Sequence, residues 1–230
     1  MQSKTKNQQQ RVHPMKSVFS DSEVIKKFEA EVLNELNANL RDLRINASPR
    51  TVGDAAQDVI ETYFADKLPA YMGQSINEKF ARRAMADVAF TDVHGNYVIV
   101  DVKTHNEETA FNMPNLTSVE RLSRFYQDDS NCFSLLIAKY NLENGEPKFD
   151  KVIFIPIEYL DWSCLTIGAL GWGQIQIANA KIINVNYKQT RKEWMLKLCD
   201  ALDLFYPNEI EKINSRIAHF KSIRAFWENK

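Results

Sequence analysis

The sequence predicts one domain of the α/β (α+β) class, with a mixed central β-sheet flanked by helices. Three observations predict it. Apolar residues recur at helical spacing towards both ends of the chain, and patterns typical of strands fill the middle. No Pro/Gly/Ser-rich linker or internal repeat divides the 230 residues. A chain of this length is long enough to form one such core.

Each element follows from its own local pattern. The segments His94–Asn96 and Asn144–Gly145 are typical of hairpin turns, because glycine and asparagine adopt the backbone angles that tight turns need. Thr117 and Glu120 form a capping-box pattern, which predicts a helix around them. The predicted helices cover residues 20–44, 50–68, 115–128, 190–205 and 207–228, and the predicted strands cover residues 85–92, 97–104, 132–140, 149–157 and 181–187.

Composition narrows the class of protein. The net charge is −1 and the pI is near 6.4, which argues against a nonspecific nucleic-acid coat protein. No run of 18 apolar residues is present and the N-terminus lacks a signal-peptide core, so we expect a cytoplasmic protein without a membrane span. The three cysteines fit no zinc or disulfide spacing, and we expect reduced, mostly buried thiols.

Asp87, Asp101 and Lys103 are the residues most suggestive of chemistry. In a strand, Asp101 and Lys103 lie on the same face, since side chains alternate. A hairpin folded about Gly95 brings Asp87 roughly opposite residues 102–104. Acids and a lysine inside so apolar a strand are costly unless they pair or bind a metal. The sequence therefore predicts two carboxylates and one ammonium group at one end of a hairpin.

The same short pattern occurs elsewhere in the chain. Acid-x-Lys triplets also occur at Glu146–Lys148, in a turn beside a proline, and at Glu228–Lys230, at the chain terminus. Their contexts do not predict a buried strand, and we therefore favour Asp101–Lys103. The spacing alone leaves open whether this set is a catalytic site or a structural Asp–Lys ion pair.

Phosphodiester hydrolysis suits these residue types. Two aspartates can hold Mg²⁺, which keeps several of its waters and takes further ligands from a phosphate. The lysine can orient or deprotonate the attacking water and stabilise the charge that develops on the phosphate.

The spacing of these residues resembles the motif of a known family. The pattern Met85-Ala86-Asp87 … Asp101-x-Lys103 resembles the PD-(D/E)xK nuclease superfamily, with Ala86 where the family often has proline. The order of the segments TVGDAAQDVIETYF, DVKTHNEETAFNMPNLTSVERL, LGWGQIQIANA and TRKEWM is similar to EcoRV-like type II restriction endonucleases. The resemblance covers roughly residues 50–200 and implies a restriction-endonuclease-like fold.

The resemblance implies roles for individual residues. Asp87 and Asp101 would be metal ligands for Mg²⁺, and Lys103 would be the catalytic lysine. A helix-borne acid would join them, with Asp58 and Glu61 as candidates. Both lie on a helix face opposite the apolar stripe, so a solvated surface stays open as their alternative.

Candidate DNA-binding residues lie in two segments, since glutamine and asparagine amides can bond base edges. After the glycines Gly168, Gly171 and Gly173, polar side chains on an extended segment can read bases, although an ordinary polar edge strand stays open. Arg82 and Arg83 can contact phosphates or solvate a loop. The DNA-binding candidates are Gln174, Gln176, Asn179, Thr104, Asn106, Asn112, Asn115 and Trp172.

The expected partners follow from the same resemblance. They are double-stranded DNA, a second copy in a homodimer that matches a palindromic site, and a cognate DNA methyltransferase. The resemblance also implies cleavage that leaves blunt ends.

We expect a flexible basic arm over residues 1–19 and an endonuclease domain over residues 20–230. Dimer contacts are expected through the first helix, and Trp194 and Trp227 are expected in the core. A repair or structure-specific nuclease, and a noncatalytic DNA-binding module, are the alternatives.

Overall fold

A computed structural model of the protein describes residues 16–40, 49–75, 87–109, 114–178 and 183–230. Its helices and strands form an α+β fold, which confirms the predicted class. Within these described ranges, no helix combines the length and the apolar character needed to cross a membrane. In chain order the elements are α1 (Ser22–Leu40), α2 (Pro49–Asp66), β1 (Gly73–Ser75), β2 (Val88–Asp92), β3 (Tyr97–Asn106), β4 (Asn115–Ser118), α3 (Val119–Phe125), β5 (Asn131–Glu143), β6 (Glu146–Pro156), β7 (Leu165–Gly168), β8 (Gln174–Ile177) and α4 (Arg191–Glu228).

The five-stranded sheet has the order β1-β2-β3-β5-β6 and is mixed. Only the pair β3 and β5 is parallel, and its register runs unbroken from Tyr97–Asn131 to Asn106–Tyr140. The chain between these two strands passes through β4 and α3, because parallel neighbours need a crossover connection. This long pairing fixes β3 at the centre of the sheet.

Alternation along the strands divides the core into two layers. Val88, Phe90, Val98 and Val100 pack with α1 and α2 on one face of the sheet. Ala89, Ile99 and Phe133 pack on the other face with the three-stranded sheet β4-β8-β7 and the start of α4. The near-continuous apolar run in β3 is therefore explained by burial on both faces.

The second sheet corrects the expectation for residues 115–128. Thr117 does not cap a helix: residues Asn115–Ser118 form β4, which pairs with β8, and α3 begins at Val119. Asn115 accordingly starts a strand. Thr117 is buried in this pairing, so tertiary contacts override the local capping signal.

The C-terminal region also differs from expectation. The two predicted helices are one continuous helix, α4, with Pro207 in its interior. An interior proline costs about 3 kcal/mol, and the good helix formers on both sides evidently outweigh that cost. Of the strand predicted over residues 181–187, residues 183–187 contribute only an isolated bridge between Leu160 and Val185, and residues 181 and 182 lie outside the described ranges.

Helix α1 buries its apolar stripe inside its own chain. Phe28 stacks with Phe64 of α2 and Phe154 of β6, and Val32 and Leu36 are fully buried. The stripe therefore needs no second copy to cover it, and the argument for dimer contacts through this helix was wrong.

The packed domain begins before residue 20. Val18 and Phe19, the end of the predicted basic arm, are buried against the core, whereas residues 1–15 lie outside the described ranges.

A buried carboxylate at the β2–β3 turn holds the N-terminal segment. Asp92 accepts hydrogen bonds from the backbone N–H of Val18 (2.9 Å), His94 (2.8 Å) and Asn96 (2.9 Å) and from the Asn96 side chain (2.9 Å). Gly95 has φ +87°, which favours glycine in this turn. The carboxylate thus closes the hairpin and ties it to the start of the domain.

Replacing Asp92 tests this anchor. We expect Asp92→Ala to lower the free energy of unfolding by about 3 kcal/mol, because it leaves several buried donors without an acceptor. Urea unfolding followed by circular dichroism measures the change. Glu23→Ala is the control, since its ion pair with Lys26 is exposed and screened by solvent, and its loss should change stability little. Equal stability of the two variants would contradict the assigned role of Asp92.

Candidate active site

The two predicted aspartates meet at the end of the β2–β3 hairpin. Val88 pairs with Val100, so Asp87 continues the hairpin opposite Asp101 rather than opposite residues 102–104 as expected. The Asp87 backbone N–H donates to the Val100 carbonyl (3.0 Å). Its carboxylate then turns back and accepts from the Val102 backbone N–H (2.7 Å). Asp87 thereby occupies the edge of β3 where the pairing with β2 stops.

Asp101 and Lys103 form an ion pair on β3, as their shared face predicts. Lys103 Nζ lies 2.8 Å from Asp101 Oδ1. The aspartate is 7% exposed, whereas the lysine side chain is 24% exposed and reaches the surface. The second oxygen, Asp101 Oδ2, is buried and has no hydrogen-bond partner within the described residues. A buried carboxylate oxygen without a partner is costly.

The electrostatics of Asp101 follow from that burial. The pKa of the Asp101 carboxyl is raised to about 7, chiefly because burial removes solvent and to a smaller extent because of the nearby charge of Asp87. The Lys103 ammonium acts in the opposite direction and lowers this pKa. Two carboxylates this close repel each other, and a cation between them would relieve the repulsion.

Helix α2 contributes Gln57 to the site. Its amide donates to Asp87 Oδ1 (3.0 Å) and to Glu61 Oε1 (2.8 Å), and it therefore links the two carboxylates. Of the two acids proposed from this helix, Glu61 is half-buried and joined to the site through Gln57. Asp58 is exposed, takes no part in this chain of hydrogen bonds, and matches the solvated-surface alternative.

An open cavity of about 440 Å³ begins at Lys103. Gln57 and Arg50 of α2 line one side, and Thr104 and Asn106 of β3 continue the wall along the strand. The cavity lies where β3 has no neighbour on the β2 side within the described residues. A phosphate group could reach the lysine from here. At the rim the exposed Arg50 is paired with Asp54 (3.9 Å), which also lines the cavity.

Six of the eight predicted DNA-binding residues fall into three groups. Thr104 and Asn106 line the cavity, although the Asn106 carboxamide accepts from the Glu108 backbone N–H (2.9 Å). Asn115 and Gln176 are joined across β4 and β8, where Gln176 Nε2 donates to Asn115 Oδ1 (2.6 Å). The third group, Asn112 and Asn179, lies outside the described residues, as do Arg82, Arg83 and Ala86.

Strand β8 has the alternation that the sequence predicts. Gln174 and Gln176 are partly exposed on one face, and Ile175 and Ile177 are buried on the other. Within the described residues β8 is the middle strand of its sheet, so it is not the polar edge strand that was the alternative. Trp172 lies in the turn before β8 and is 61% exposed. Its carbonyl accepts from the Tyr206 hydroxyl (2.7 Å), which fixes the turn against α4.

The residues present fit a magnesium ion. Asp101 Oδ2 is an oxygen ligand without another partner, and Asp87 supplies a second carboxylate beside it. Within the described ranges no group of three or more His, Cys, Asp or Glu residues could hold a metal. Magnesium does not require one, because it is commonly bound by one or two carboxylates together with waters and substrate phosphates.

Comparison with known proteins adds no family. No protein-family model matches the chain, and the search of curated proteins found no significant similarity. Function must therefore be inferred from the geometry of the site.

Several residues of the site were not predicted from the sequence. Gln57 could have been found from its four-residue spacing to Glu61, which places the two side chains on one helix face. Arg50, Thr109 and Tyr140 line the cavity through tertiary contacts, and no local pattern marks them.

The Asp101 pKa predicts how stability depends on pH. Its usual value is 3.8 and its folded value is about 7, so the folded state retains a proton that the unfolded state loses between these pH values. Stability therefore falls as pH rises through this window, and the loss is complete above it. We expect Asp101→Asn to be more stable than the wild type by about 2 kcal/mol at pH 8 in EDTA, with the difference vanishing near pH 4.

Urea unfolding at several pH values measures this difference. Asp128→Asn is the matched control, because hydrogen bonds from Ser130 lower the Asp128 pKa and its contribution to stability has the opposite sign. The predicted burial cost of Asp101 is wrong if Asp101→Asn is the less stable protein at pH 8.

Proposed function

We propose that the protein is a magnesium-dependent DNA endonuclease with its active site at Asp87, Asp101 and Lys103. One observation carries the proposal: among the described residues, a buried carboxylate oxygen of Asp101 has no hydrogen-bond partner, and it lies beside a second carboxylate and a lysine that reaches an open cavity. Structural ion pairs satisfy their oxygens, since an unpaired buried oxygen only costs stability. The alternative of a purely structural Asp–Lys pair leaves Asp101 Oδ2 unexplained.

The order of the elements supports the same proposal. Helix α2 precedes the hairpin that carries both aspartates, and β4 and α3 lead from β3 to its parallel neighbour β5. This is the sequence of segments that the resemblance to PD-(D/E)xK nucleases implies. The restriction-endonuclease-like assignment remains part of the proposal.

Each residue has a defined task in phosphodiester hydrolysis. Asp87 and Asp101 would hold Mg²⁺, which supplies an activated water and neutralises charge on the phosphate. Lys103 orients the attacking water and stabilises the negative charge that develops on the phosphate oxygens. Gln57 holds the Asp87 carboxylate through a hydrogen bond to Oδ1 and leaves Lys103 access to the cavity. The Val102 N–H fixes the other oxygen of Asp87.

Polar side chains near the cavity are suited to DNA. Pro114 lines the cavity, and the next residue, Asn115, accepts from Gln176 on the exposed face of β8. A polar strip thus extends from Lys103 towards Gln174 and Gln176. Amides in such a strip can bond adenine edges, and the exposed Trp172 at its end can stack on a base. We therefore assign sequence-specific cleavage of double-stranded DNA rather than nonspecific degradation.

The full proposal is a type II restriction endonuclease. It would act as a homodimer on a palindromic site, leave blunt ends, and require a cognate DNA methyltransferase that protects the host DNA. Incubation with phage DNA and Mg²⁺, followed by sequencing of the fragment ends, tests specificity. Recurrent blunt ends at one palindrome are expected. Random or branch-specific nicking would exclude restriction and favour a repair nuclease.

The catalytic assignment is tested by substitution. We expect Asp87→Asn and Lys103→Ala to lower the cleavage rate by at least about 100- to 1000-fold, because each removes a group that acts on the transition state. The rate is measured on plasmid DNA with Mg²⁺, and EDTA should abolish it. Lys103→Ala should still bind duplex DNA in Ca²⁺, since the lysine is not proposed as a metal ligand.

Lys148→Ala provides the matched control. Lys148 ends the Glu146–Lys148 triplet, which has the same acid-x-Lys pattern. The triplet forms the start of β6 rather than the turn that was expected, and Lys148 is exposed there. This variant should cleave as the wild type does. Full activity of Asp87→Asn or Lys103→Ala would refute the site, and DNA binding without any Mg²⁺-dependent cleavage would favour a noncatalytic DNA-binding module.

A further inference from the structure

After Tyr206, whose hydroxyl donates to the Trp172 carbonyl (2.7 Å), the side-chain hydrogen bonds described for α4 lie within the helix itself. The start of the helix is anchored: Trp194 is fully buried and donates to the Leu160 carbonyl (2.9 Å), and Arg191 pairs with the buried Glu158 (3.0 Å). From Asp203 to the C-terminus, no residue is buried. Trp227, which was expected in the core, is 62% exposed.

The exposed part carries a regular apolar stripe. Ile210, Ile213, Ile217 and Phe220 follow one another at intervals of three, four and three residues. The next position of the same row is Arg224, and Trp227 follows it three residues later. The five apolar residues are among the large apolar side chains most exposed in the described structure. This alternation of three and four is the seam of a coiled coil, in which the row is covered by another helix. A water-exposed row of this size is unusual in a protein that acts alone.

The distribution of charges on the same segment indicates which kind of partner would fit it. Residues 200–211 contain four acids and no base, and residues 212–224 contain four bases and no acid. A second copy in antiparallel orientation would bring the acidic half of each helix against the basic half of the other. Parallel copies would align like charges instead, which costs energy. The segment is therefore complementary to itself in one orientation only.

We infer that residues 203–228 of α4 form a self-association surface that pairs with the same segment of a second copy, antiparallel, through the row Ile210, Ile213, Ile217 and Phe220. The contact has two-fold symmetry, because each copy presents the same surface to the other. The inference does not rest on the nuclease proposal, and its tests need neither DNA nor Mg²⁺.

Sedimentation equilibrium of the full chain tests the association. The wild type should be a dimer at micromolar concentration, and Ile213→Lys/Ile217→Lys should weaken it by more than about 100-fold, since four lysines would enter an apolar seam. Ser215→Lys/Ser222→Lys is the matched control: it adds the same charge at positions away from the row and should remain dimeric. Circular dichroism checks that both variants retain the helix.

A monomeric wild type overturns the inference, and so does an Ile213→Lys/Ile217→Lys variant that dimerises as tightly as the wild type. Equal weakening by the serine variant would also overturn it, because added charge rather than the row would then be responsible.

The orientation is tested by one spin label per chain at Glu228→Cys, in a Cys199→Ser background that removes the exposed native thiol. An antiparallel pair centred on the row Ile210 to Phe220 places the two labels about 40 Å apart, as roughly 26 residues at 1.5 Å each require. Double electron–electron resonance measures that distance. Labels in close contact would indicate parallel pairing and overturn the antiparallel assignment.

Discussion

The arrangement of the site depends on one asymmetry in the pairing of β3. On one side β3 pairs with β5 over ten residues, from Tyr97 to Asn106. On the other side the pairing with β2 ends at Val100. Residues 101–106 remain extended because they still pair with β5. On the side of β2, part of their backbone has no strand partner among the described residues and can contact side chains. Asp87 uses that edge when its carboxylate accepts from the Val102 N–H. A rigid strand with one open edge is thus what brings the charged groups together.

This asymmetry also explains why charge can exist within so apolar a strand. The residues of β3 before Asp101 are buried on both faces by the two core layers. After Asp101, β3 leaves the core on the side that faces the cavity, and the Lys103 side chain lines that cavity. Burial still raises the Asp101 pKa to about 7, so the metal-free fold is less stable near neutral pH than it would be with an uncharged residue. Such strain is typical of sites that bind a ligand.

The parts of the fold that follow local periodicity could be predicted from the sequence. Local patterns of apolar residues and turn residues, each only a few residues long, predict helices α1 and α2, the hairpin of β2 and β3, and the pairing of β5 with β6. The Asp101–Lys103 contact follows from strand alternation alone. The predictions failed where distant partners decide the structure. Residues 115–118 form a strand because β8 lies beside them, although Thr117 and Glu120 have the pattern of a helix start.

The same reasoning separates the residues of the site. Asp87, Asp101 and Lys103 lie on one hairpin, whose register the turn at Gly95 restricts to within a residue or two. Gln57 and Arg50 belong to a helix that meets the hairpin only after folding, and no spacing in the sequence relates them to Asp87. The sequence predicted one helix over residues 190–205 and a second over residues 207–228. The structure has a single helix through Pro207, and the apolar row from Ile210 onwards lies on its exposed part.

Two features of the described structure have no partner among the described residues: a buried carboxylate oxygen and an exposed apolar row. Asp101 Oδ2 is a buried acceptor without a donor, and the row on α4 is an apolar surface without cover. Another buried carboxylate and another apolar stripe do have partners within the fold. Asp92 accepts four hydrogen bonds, and the apolar stripe of α1 is covered by α2 and β6. Buried carboxylates and apolar stripes that serve the fold alone thus find their partners within the described structure. We propose a cation as the partner of Asp101 and a second copy as the partner of the row on α4, which together would give a dimer with one metal site in each subunit.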